Sequence, residues 1–338
     1  MTAETTPATP AHASASRSRG RSLGLLLGWT ALAALLVPVA ARVTGWEAGP
    51  LALLVALMPW MTLACLLPLA VAAVVRSPVL AIASAAALAL GVAWQVPVFT
   101  AADAAGERAL TIASVNLTYG GADADAVLAL VREHHVDVLV AQEVTPEAVE
   151  ALEAAGLATA LPHAQVAAEP GVTGTALWSR TPLADAETLP GFTTASSNDR
   201  YLSRAVRADV EIAGASVSVL AVHPAAPGPI DHSGWQSSME VLADHLAAHR
   251  GPILVAGDFN TTRDHRVFRD LESLGYADAA DQSGSGLQFT FPEGRRPWPL
   301  VTIDHVLERD TGLVATAVST VAVAGADHRA LVVDYAPR

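Results

Sequence analysis

The pattern of apolar and polar positions divides the chain into two parts near residue 101. Before that point charged residues are rare, and three apolar runs follow one another, at about 23–41, 51–75 and 78–99. The charges that separate the runs are Arg42, Glu47 and Arg76. Each run is close to the ~20 residues that cross a bilayer as a helix. The pattern predicts a transmembrane anchor of three helices in residues 23–101, after a polar, disordered tail of residues 1–22.

A secretory signal peptide is the alternative for the first run, but two further runs of equal length favour an anchor. Three arginines precede the first run and Arg76 lies between the second and third, whereas Arg42 alone lies in the first loop. Cytoplasmic loops carry an excess of Arg and Lys. We therefore predict a multi-pass cell-membrane protein with a cytoplasmic N-terminus and an extracytoplasmic domain, residues 102–338.

Beyond residue 101 short apolar runs alternate with amphipathic segments. Strands are predicted at 109–117, 136–144, 173–183, 204–212, 215–224, 252–260, 300–308, 315–328 and 330–336. Helices are predicted at 123–135, 146–156, 233–249 and 264–274. Strands mixed with helices over some 235 residues indicate one layered α/β domain with two packed sheets inside.

Composition narrows the possible partners. The chain is 52% hydrophobic with a mean hydropathy of +0.38, which is high for a soluble protein, and the excess lies in the apolar runs. The domain contains 31 acidic and 15 basic residues, a formal charge near −16, and every basic residue of the chain is Arg. Binding to duplex DNA usually needs a basic surface, so duplex DNA is a poor electrostatic partner. The one cysteine, Cys65, excludes an intrachain disulfide.

Polar residues of metal-binding or acid–base type recur where the apolar strands end. They are Asn116, Glu143, His223, Asp258, Asn260, Asp304, His305, Asp327 and His328. Any one of them is explained equally well by ordinary turn chemistry. Together, carboxylates with Asn and His and without a cysteine cluster favour Mg²⁺, Mn²⁺ or Ca²⁺ over structural zinc. Glycine-rich phosphate loops that follow a strand, and the GxSxG nucleophile motif, are absent from the sequence.

The series "SVNL", "AQE", "VHP", "GDFN", "TIDH" and "ADH", in that order, resembles the endonuclease/exonuclease/phosphatase superfamily. The resemblance covers roughly residues 108–336 and leaves out the apolar runs. It implies a DNase I-like fold, a four-layer, two-sheet β-sandwich flanked by helices. It also implies a metal-dependent hydrolase that acts on phosphoric ester bonds.

The resemblance assigns roles to individual positions. Glu143 corresponds to the main metal-ligating glutamate, Asn116 lies beside it around the metal, and Asp327 completes this group. The implied cofactor is Mg²⁺, with Mn²⁺ or Ca²⁺ as alternatives.

The catalytic residues that the resemblance implies come from the later motifs. Asp258 orients or deprotonates the attacking water, and Asn260 binds the phosphate or that water. His328 stabilises the transition state and Asp304 holds the imidazole. His223 contacts the phosphate and protonates the leaving group; in the DNase I branch this histidine is paired with a glutamate, and the sequence identifies none here.

The segment "FPEGRRPWPL", residues 291–300, contains three prolines and cannot be helical. It is either a solvated loop or a substrate loop. In a substrate loop, Arg295 and Arg296 meet phosphate and Trp298 stacks or enters lipid headgroups.

Three functions remain open from the sequence. The first is a membrane-anchored, metal-dependent phosphoesterase that hydrolyses a phosphodiester or phosphomonoester on a lipid or cell-envelope molecule. The second is an extracellular nuclease. The third is a catalytically inactive module that binds a phosphorylated ligand or a protein partner.

Overall fold

The computed structural model describes residues 11–192, 203–228, 233–294 and 298–338. Its helices are α1 (Ala11–Thr44), α2 (Pro50–Ala56), α3 (Met58–Ala64), α4 (Leu66–Val75), α5 (Pro78–Gln95), α6 (Ala124–Glu133), α7 (Pro146–Ala155), α8 (Leu157–Ala160), α9 (Ser233–Ala248), α10 (Arg266–Ser273) and α11 (Ala279–Ser283), with a 3₁₀ turn at Val96–Phe99. Its strands are β1 (Leu110–Asn116), β2 (Val138–Gln142), β3 (His163–Ala167), β4 (Thr175–Ser179), β5 (Leu183–Leu189), β6 (Ala205–Ile212), β7 (Ala215–Val222), β8 (Ile253–Asp258), β9 (Ala277–Asp278), β10 (Asp304–Arg309), β11 (Leu313–Ala322) and β12 (Arg329–Pro337). The chain forms two compact units. We call them the helical unit, Met1–Thr44 with Met58–Gln95, and the sheet unit, Gly45–Leu57 with Val96–Arg338.

Three apolar helical stretches are long enough to cross a membrane, at Arg19–Thr44, Met58–Val75 and Pro78–Phe99. The middle stretch is interrupted at Cys65 between α3 and α4. Pro68 explains the interruption, because its ring would clash with the carbonyl four residues earlier in a continuous helix. α1 already begins at Ala11, so residues 11–22, which we predicted to be disordered, are helical here. The alanine-rich sequence of this segment continues directly into the apolar run.

The sheet unit contains two six-stranded sheets of similar construction. The first has the order β11-β12-β1-β2-β4-β3 and the second β5-β6-β7-β8-β10-β9. Each contains one parallel pair, β1 with β2 and β7 with β8, connected through α6 and α9 respectively. The remaining neighbours are antiparallel.

The two sheets pack face to face around a shared apolar cluster that includes Ile112, Val140, Val219 and Val306. Helices α6 and α7 cover the outer face of the first sheet, and α9 and α10 cover that of the second. These four layers confirm the predicted α/β, DNase I-like sandwich. They also explain why every residue of β1, β2, β4 and β8 is buried, since these central strands are covered on both faces.

Several strand boundaries differ from the predicted ones. The strand predicted at 173–183 is divided into β4 and β5, because Pro182 lies between them and cannot donate to a ladder. β3 was not predicted; it is a half-exposed edge strand without an apolar pattern. The strand predicted at 315–328 ends at Ala322, before a turn in which Gly325 has φ +83°.

Two segments next to the apolar helices belong to the sheet unit. One is Gly45–Leu57, which contains α2, so the second apolar helix begins at Met58 and not near residue 51. The other is the stretch 102–109, whose backbone donates from Ala102 to the Gln282 carbonyl and from Ala105 to the Pro337 carbonyl. These bonds attach the stretch to α11 and to the end of β12.

Candidate active site

The topology explains why the polar strand ends meet. The carboxyl ends of parallel strands lie at one edge of a sheet, so β1 and β2 deliver Asn116 and Glu143 to the same edge. In the second sheet β7 and β8 deliver His223 and Asp258 in the same way. The antiparallel neighbours β10 and β12 begin where these strands end, so Asp304 lies opposite Asp258 and His328 precedes β12. Residues of both sheets thereby line one cavity of about 570 Å³.

The centre of the cavity is a buried chain of two carboxylates and an imidazole. His328 Nδ1 lies 2.9 Å from Asp304 Oδ2, and His328 Nε2 lies 3.6 Å from Asp258 Oδ2. Burial alone would lower the pKa of His328, but the carboxylates of Asp304 and Asp258 outweigh it and raise the pKa to about 10. Burial also raises the pKa of Asp258, although the neighbouring His328 lowers it in part. The arrangement maintains an imidazolium between two acids at neutral pH.

His223 also lies beside Asp258, with its Nε2 3.6 Å from Asp258 Oδ2. Its Nδ1 lies 3.2 Å from the Val172 carbonyl oxygen. A carbonyl only accepts, so Nδ1 carries a proton and the neutral ring has its lone pair on Nε2. The partner of Nδ1 is thus a backbone carbonyl and not the glutamate of the DNase I branch.

Asn260 adopts a left-handed conformation, with φ of 51°, directly after β8. Its backbone N–H donates to Asp258 Oδ1 at 2.8 Å, which closes a tight turn around the carboxylate. Its side-chain amide donates to the Pro224 carbonyl at 3.0 Å, next to His223. The carboxamide oxygen therefore remains as the acceptor of this side chain, on a residue that lines the cavity.

Glu143 lies at the open side of the cavity, also with a left-handed backbone, φ 55°. Asn116 Nδ2 donates to Glu143 Oε1 at 3.2 Å and to Asp258 Oδ2 at 3.1 Å, while its Oδ1 accepts from the Thr118 backbone at 2.9 Å. In this arrangement Asn116 offers a donor to both acids, whereas a metal ligand must offer its oxygen. Its assignment to the metal stays a prediction.

The turn after β1 was not predicted as part of the site. Thr118 Oγ1 donates to Asp327 Oδ1 at 2.6 Å and accepts from the Asp327 backbone at 2.8 Å. Tyr119 donates its backbone N–H to Glu143 Oε2 at 2.6 Å. Both residues have positive φ. Successive residues of one turn thus hold Glu143 and Asp327, and the only sequence signal was "TYGG" after the strand.

Phe291, the first residue of the segment 291–300, lines the cavity, with its ring centroid 4.8 Å from that of His328. The segment was offered as a possible substrate loop, but Phe291 was not singled out in it. The rim is otherwise apolar or small, with Pro170, Gly171, Val172, Ala225 and Ala226. Arginine is absent from the described residues that line the cavity. Of the predicted substrate loop, Arg295 and Arg296 lie outside the described residues, and Trp298 is 70% exposed. His305 points away from the cavity and bonds Asp278 and the Thr261 carbonyl instead.

The donor set fits a hard divalent cation. Asp258, Asp304 and His328 can each present a ligand atom within 4.8 Å of one another. The protonated imidazole, however, already bridges these two acids and has no lone pair to offer. The carboxylates of Glu143 and Asp327, held by adjacent residues at the open side, are oxygen ligands of the type that Mg²⁺ and Ca²⁺ prefer.

Comparison with known proteins gives the same fold. An AP endonuclease from Archaeoglobus fulgidus is 18% identical, with a TM-score of 0.54 over 66% of this chain and 98% of that chain. An endonuclease/exonuclease/phosphatase from Bacteroides vulgatus is 15% identical, with a TM-score of 0.52 over 69% of this chain and 100% of that chain. A 3′ phosphatase from Neisseria, bound to a product DNA hairpin, is 19% identical, with a TM-score of 0.51 over 67% of this chain and 99% of that chain. No protein with a curated description matches this chain.

The family model described as "Endonuclease/Exonuclease/phosphatase family" matches residues 113–328, from β1 to the histidine of the buried chain. The match spans more than half of the protein and includes every cavity residue that the strand ends supply. With the four-layer sandwich and the paired acids and imidazoles at its edge, it shows that this chain belongs to the endonuclease/exonuclease/phosphatase family.

Proposed function

We propose that the protein is a metal-dependent hydrolase of phosphoric esters. The observation that carries the proposal is the imidazolium of His328 between Asp304 and Asp258, in a cavity that also holds Glu143. A phosphoryl group gains negative charge on its oxygens during displacement, and a buried cation beside it stabilises that charge. The family to which the chain belongs acts on phosphoester substrates, including DNA.

Each residue of the cavity has a role that follows from its contacts. Asp258 accepts the proton of the attacking water or orients it, since its carboxylate lies 3.6 Å from the Nε2 atoms of both His223 and His328. His328 donates to a developing phosphate oxygen from Nε2, while Asp304 fixes the ring through Nδ1. Asn260 positions the phosphate or the water. His223 protonates the leaving oxygen from Nε2 when its ring is doubly protonated.

Glu143 and Asp327 are the residues that we propose to bind the divalent cation, with Asn116 beside them. Mg²⁺ is the proposed ion, and Mn²⁺ or Ca²⁺ suit the same oxygen donors. Such an ion neutralises phosphate charge and polarises the bond to the leaving oxygen.

The substrate that we propose is a phosphodiester or phosphomonoester carried on a lipid or cell-envelope molecule. Arginine is absent from the described residues of the cavity wall, and the domain has a formal charge near −16, so long polyanions are repelled. Three apolar helices long enough to span a bilayer precede the domain and raise the effective concentration of membrane-bound substrates. A nuclease is the second candidate, because the Neisseria relative was solved with a DNA hairpin.

We also propose that the domain lies outside the cytoplasm of a cell-membrane protein. The loop Gly45–Leu57 and the segment from Val96 onward belong to one unit and are therefore on the same side of a membrane. Two crossings between them satisfy this requirement. The excess of arginine near the N-terminus and at Arg76 supports a cytoplasmic location for the opposite side.

The substrate class is tested with full-length protein in liposomes, supplied with Mg²⁺ or Mn²⁺. Phospholipid headgroup esters and plasmid DNA are offered at equal phosphate concentration, and released phosphate or headgroup is compared with DNA nicking. The proposal expects faster hydrolysis of the lipid-borne ester. Efficient plasmid cleavage with inert lipid would make the protein a nuclease. If the protein binds phosphorylated ligands but hydrolyses none of them, it is an inactive binding module.

A further inference from the structure

The loop between the first two apolar helices, Gly45–Leu57, is built into the core of the sheet unit. Ala52 of α2 is 1% exposed and packs in the apolar cluster of α9 and α10, which contains Trp235 and Phe268. Glu47, the one acidic residue of the loop, is 2% exposed. A buried carboxylate is costly unless it is hydrogen-bonded, so the partner of Glu47 identifies what the loop holds.

That partner is the start of α10. Glu47 Oε1 accepts a hydrogen bond from the Arg266 backbone N–H at 2.9 Å. Arg266 is the first residue of α10, where backbone N–H groups have no partner within the helix and the helix dipole favours a negative charge. Gly45 lies at the same place, with φ +70°, and a Cβ there would overlap the Arg266 side chain. The loop therefore caps α10 with a side chain from outside the helix.

A second contact fixes the residue before α10. His265 Nδ1 accepts from the Thr262 backbone N–H at 2.9 Å, so the proton of the neutral ring is on Nε2. Nε2 donates to the Ala52 carbonyl oxygen, also at 2.9 Å. Burial lowers the pKa of His265 to about 4, which favours this neutral tautomer. The ring of Trp235 packs edge-on against the imidazole, with centroids 5.0 Å apart.

The residues held in this way continue directly from the catalytic turn. Asp258 ends β8, Asn260 follows it closely, and only four residues separate Asn260 from His265. Between them, His305 Nε2 donates to the Thr261 carbonyl at 3.0 Å. The left-handed backbone of Asn260 persists only if the surrounding chain fixes it on both sides. β8 fixes one side, and the loop with His305 fixes the other.

We propose that the Gly45–Leu57 loop is a positioning element of the active site, which holds the Asp258–Asn260 turn through Glu47 and the Ala52 carbonyl. This inference rests on the proposed function of that site. If the loop has this role, the sheet unit needs a segment that lies between two apolar helices in the sequence to hold its active site in place.

The test compares three variants of full-length protein in phosphatidylcholine–phosphatidylglycerol nanodiscs. Glu47→Ala removes the acceptor, Glu47→Gln keeps an acceptor oxygen, and Glu240→Ala removes an exposed acid of α9 as a matched control. Amide hydrogen exchange is followed in residues 262–268, with the β1 amides as a measure of global folding. Steady-state hydrolysis of bis(p-nitrophenyl) phosphate with Mn²⁺ gives kcat and KM.

We expect Glu47→Ala to exchange about tenfold faster in residues 262–268, as the loss of a helix cap implies, with β1 unchanged. Its kcat should fall about three- to tenfold at constant KM, because a small misplacement of a catalytic group slows chemistry more than binding. Glu47→Gln and Glu240→Ala should match wild type in both measurements. Unchanged exchange in Glu47→Ala, or faster exchange with unchanged kcat, would overturn the proposal. If the wild type does not hydrolyse the substrate, the proposed function is wrong. Hydrogen exchange in Glu47→Ala would still show whether the loop holds the turn.

Discussion

Asp304 Oδ2 accepts a hydrogen bond from His328 Nδ1 at 2.9 Å, and this contact joins the two sheets of the sandwich. Asp304 begins β10 in the second sheet, and His328 directly precedes β12 in the first. The other oxygen of Asp304, Oδ1, is buried without a hydrogen-bond partner among the described residues. The acid therefore interacts mainly with the imidazole, and its removal should affect the charge of His328 before it affects the fold.

Replacement of His328 by Ala should lower turnover by at least about two orders of magnitude, because electrostatic stabilisation and proton transfer contribute effects of this size. Asp304→Asn should lower turnover less, since the ring stays but its cationic form is less favoured. Initial rates of phosphoester hydrolysis measure both. His135→Asn is the matched control, because His135 is exposed and its positive φ suits Asn. Equal rates for wild type and His328→Ala would show that this imidazole has no part in the chemistry.

Glu143→Gln should raise the metal concentration that gives half-maximal activity by about tenfold or more, the range typical of losses around a bound metal. The neutral amide keeps the size of the side chain but has one acceptor oxygen, so it can keep only one of the two hydrogen bonds that Glu143 accepts, from Asn116 or from the Tyr119 backbone. Activity is titrated against Mg²⁺ and Mn²⁺. Glu133→Gln, an exposed change on α6, serves as the control. An unchanged metal requirement in Glu143→Gln would show that this carboxylate does not bind the cation.

Most of the site could be predicted from the sequence because its side chains follow buried strands. Asn116, Glu143 and Asp258 are recognisable since mainly apolar runs precede them, and fully buried strands produce such runs. The partner of His223 was not predictable, because the Val172 carbonyl belongs to the backbone and has no residue-type signal. The segment 51–57 was assigned to the membrane because an apolar helix buried in protein has the same composition as one buried in lipid.

The stability of the sheet unit should depend on pH through Glu272. Burial, with repulsion from Asp281 and Asp278, raises the pKa of Glu272 to about 7. A carboxyl whose folded pKa is raised stabilises the fold fully below its unfolded pKa, near 4.5, and loses that contribution as pH rises through about 7. Glu272→Gln should therefore raise the unfolding midpoint at pH 8.5 and leave it nearly unchanged at pH 4.5. Thermal unfolding in detergent at the two pH values, with Glu240→Gln as control, checks this; an equal shift at both would contradict it.

Membrane sidedness is tested with reporters and protease. A reporter fused after Ala102 should be active only outside the cytoplasm, because an odd number of crossings follows a cytoplasmic N-terminus. Protease added to intact spheroplasts should remove the C-terminal domain. Protection of the domain in intact spheroplasts, with digestion after lysis, would place it in the cytoplasm and restrict it to cytosolic substrates.

In the proposed reaction, Asp258 and the imidazolium of His328 act on a phosphoester together with a bound divalent metal. The most direct measurement is the initial rate of full-length wild-type protein and of Asp258→Asn on the same phosphoester, each with Mg²⁺ or Mn²⁺ and with EDTA. The substitution keeps the shape of the side chain and removes its charge. We expect metal-dependent turnover by the wild type and a loss of at least about two orders of magnitude in Asp258→Asn with the fold intact. Turnover that persists in Asp258→Asn, or that is unaffected by EDTA, would contradict it.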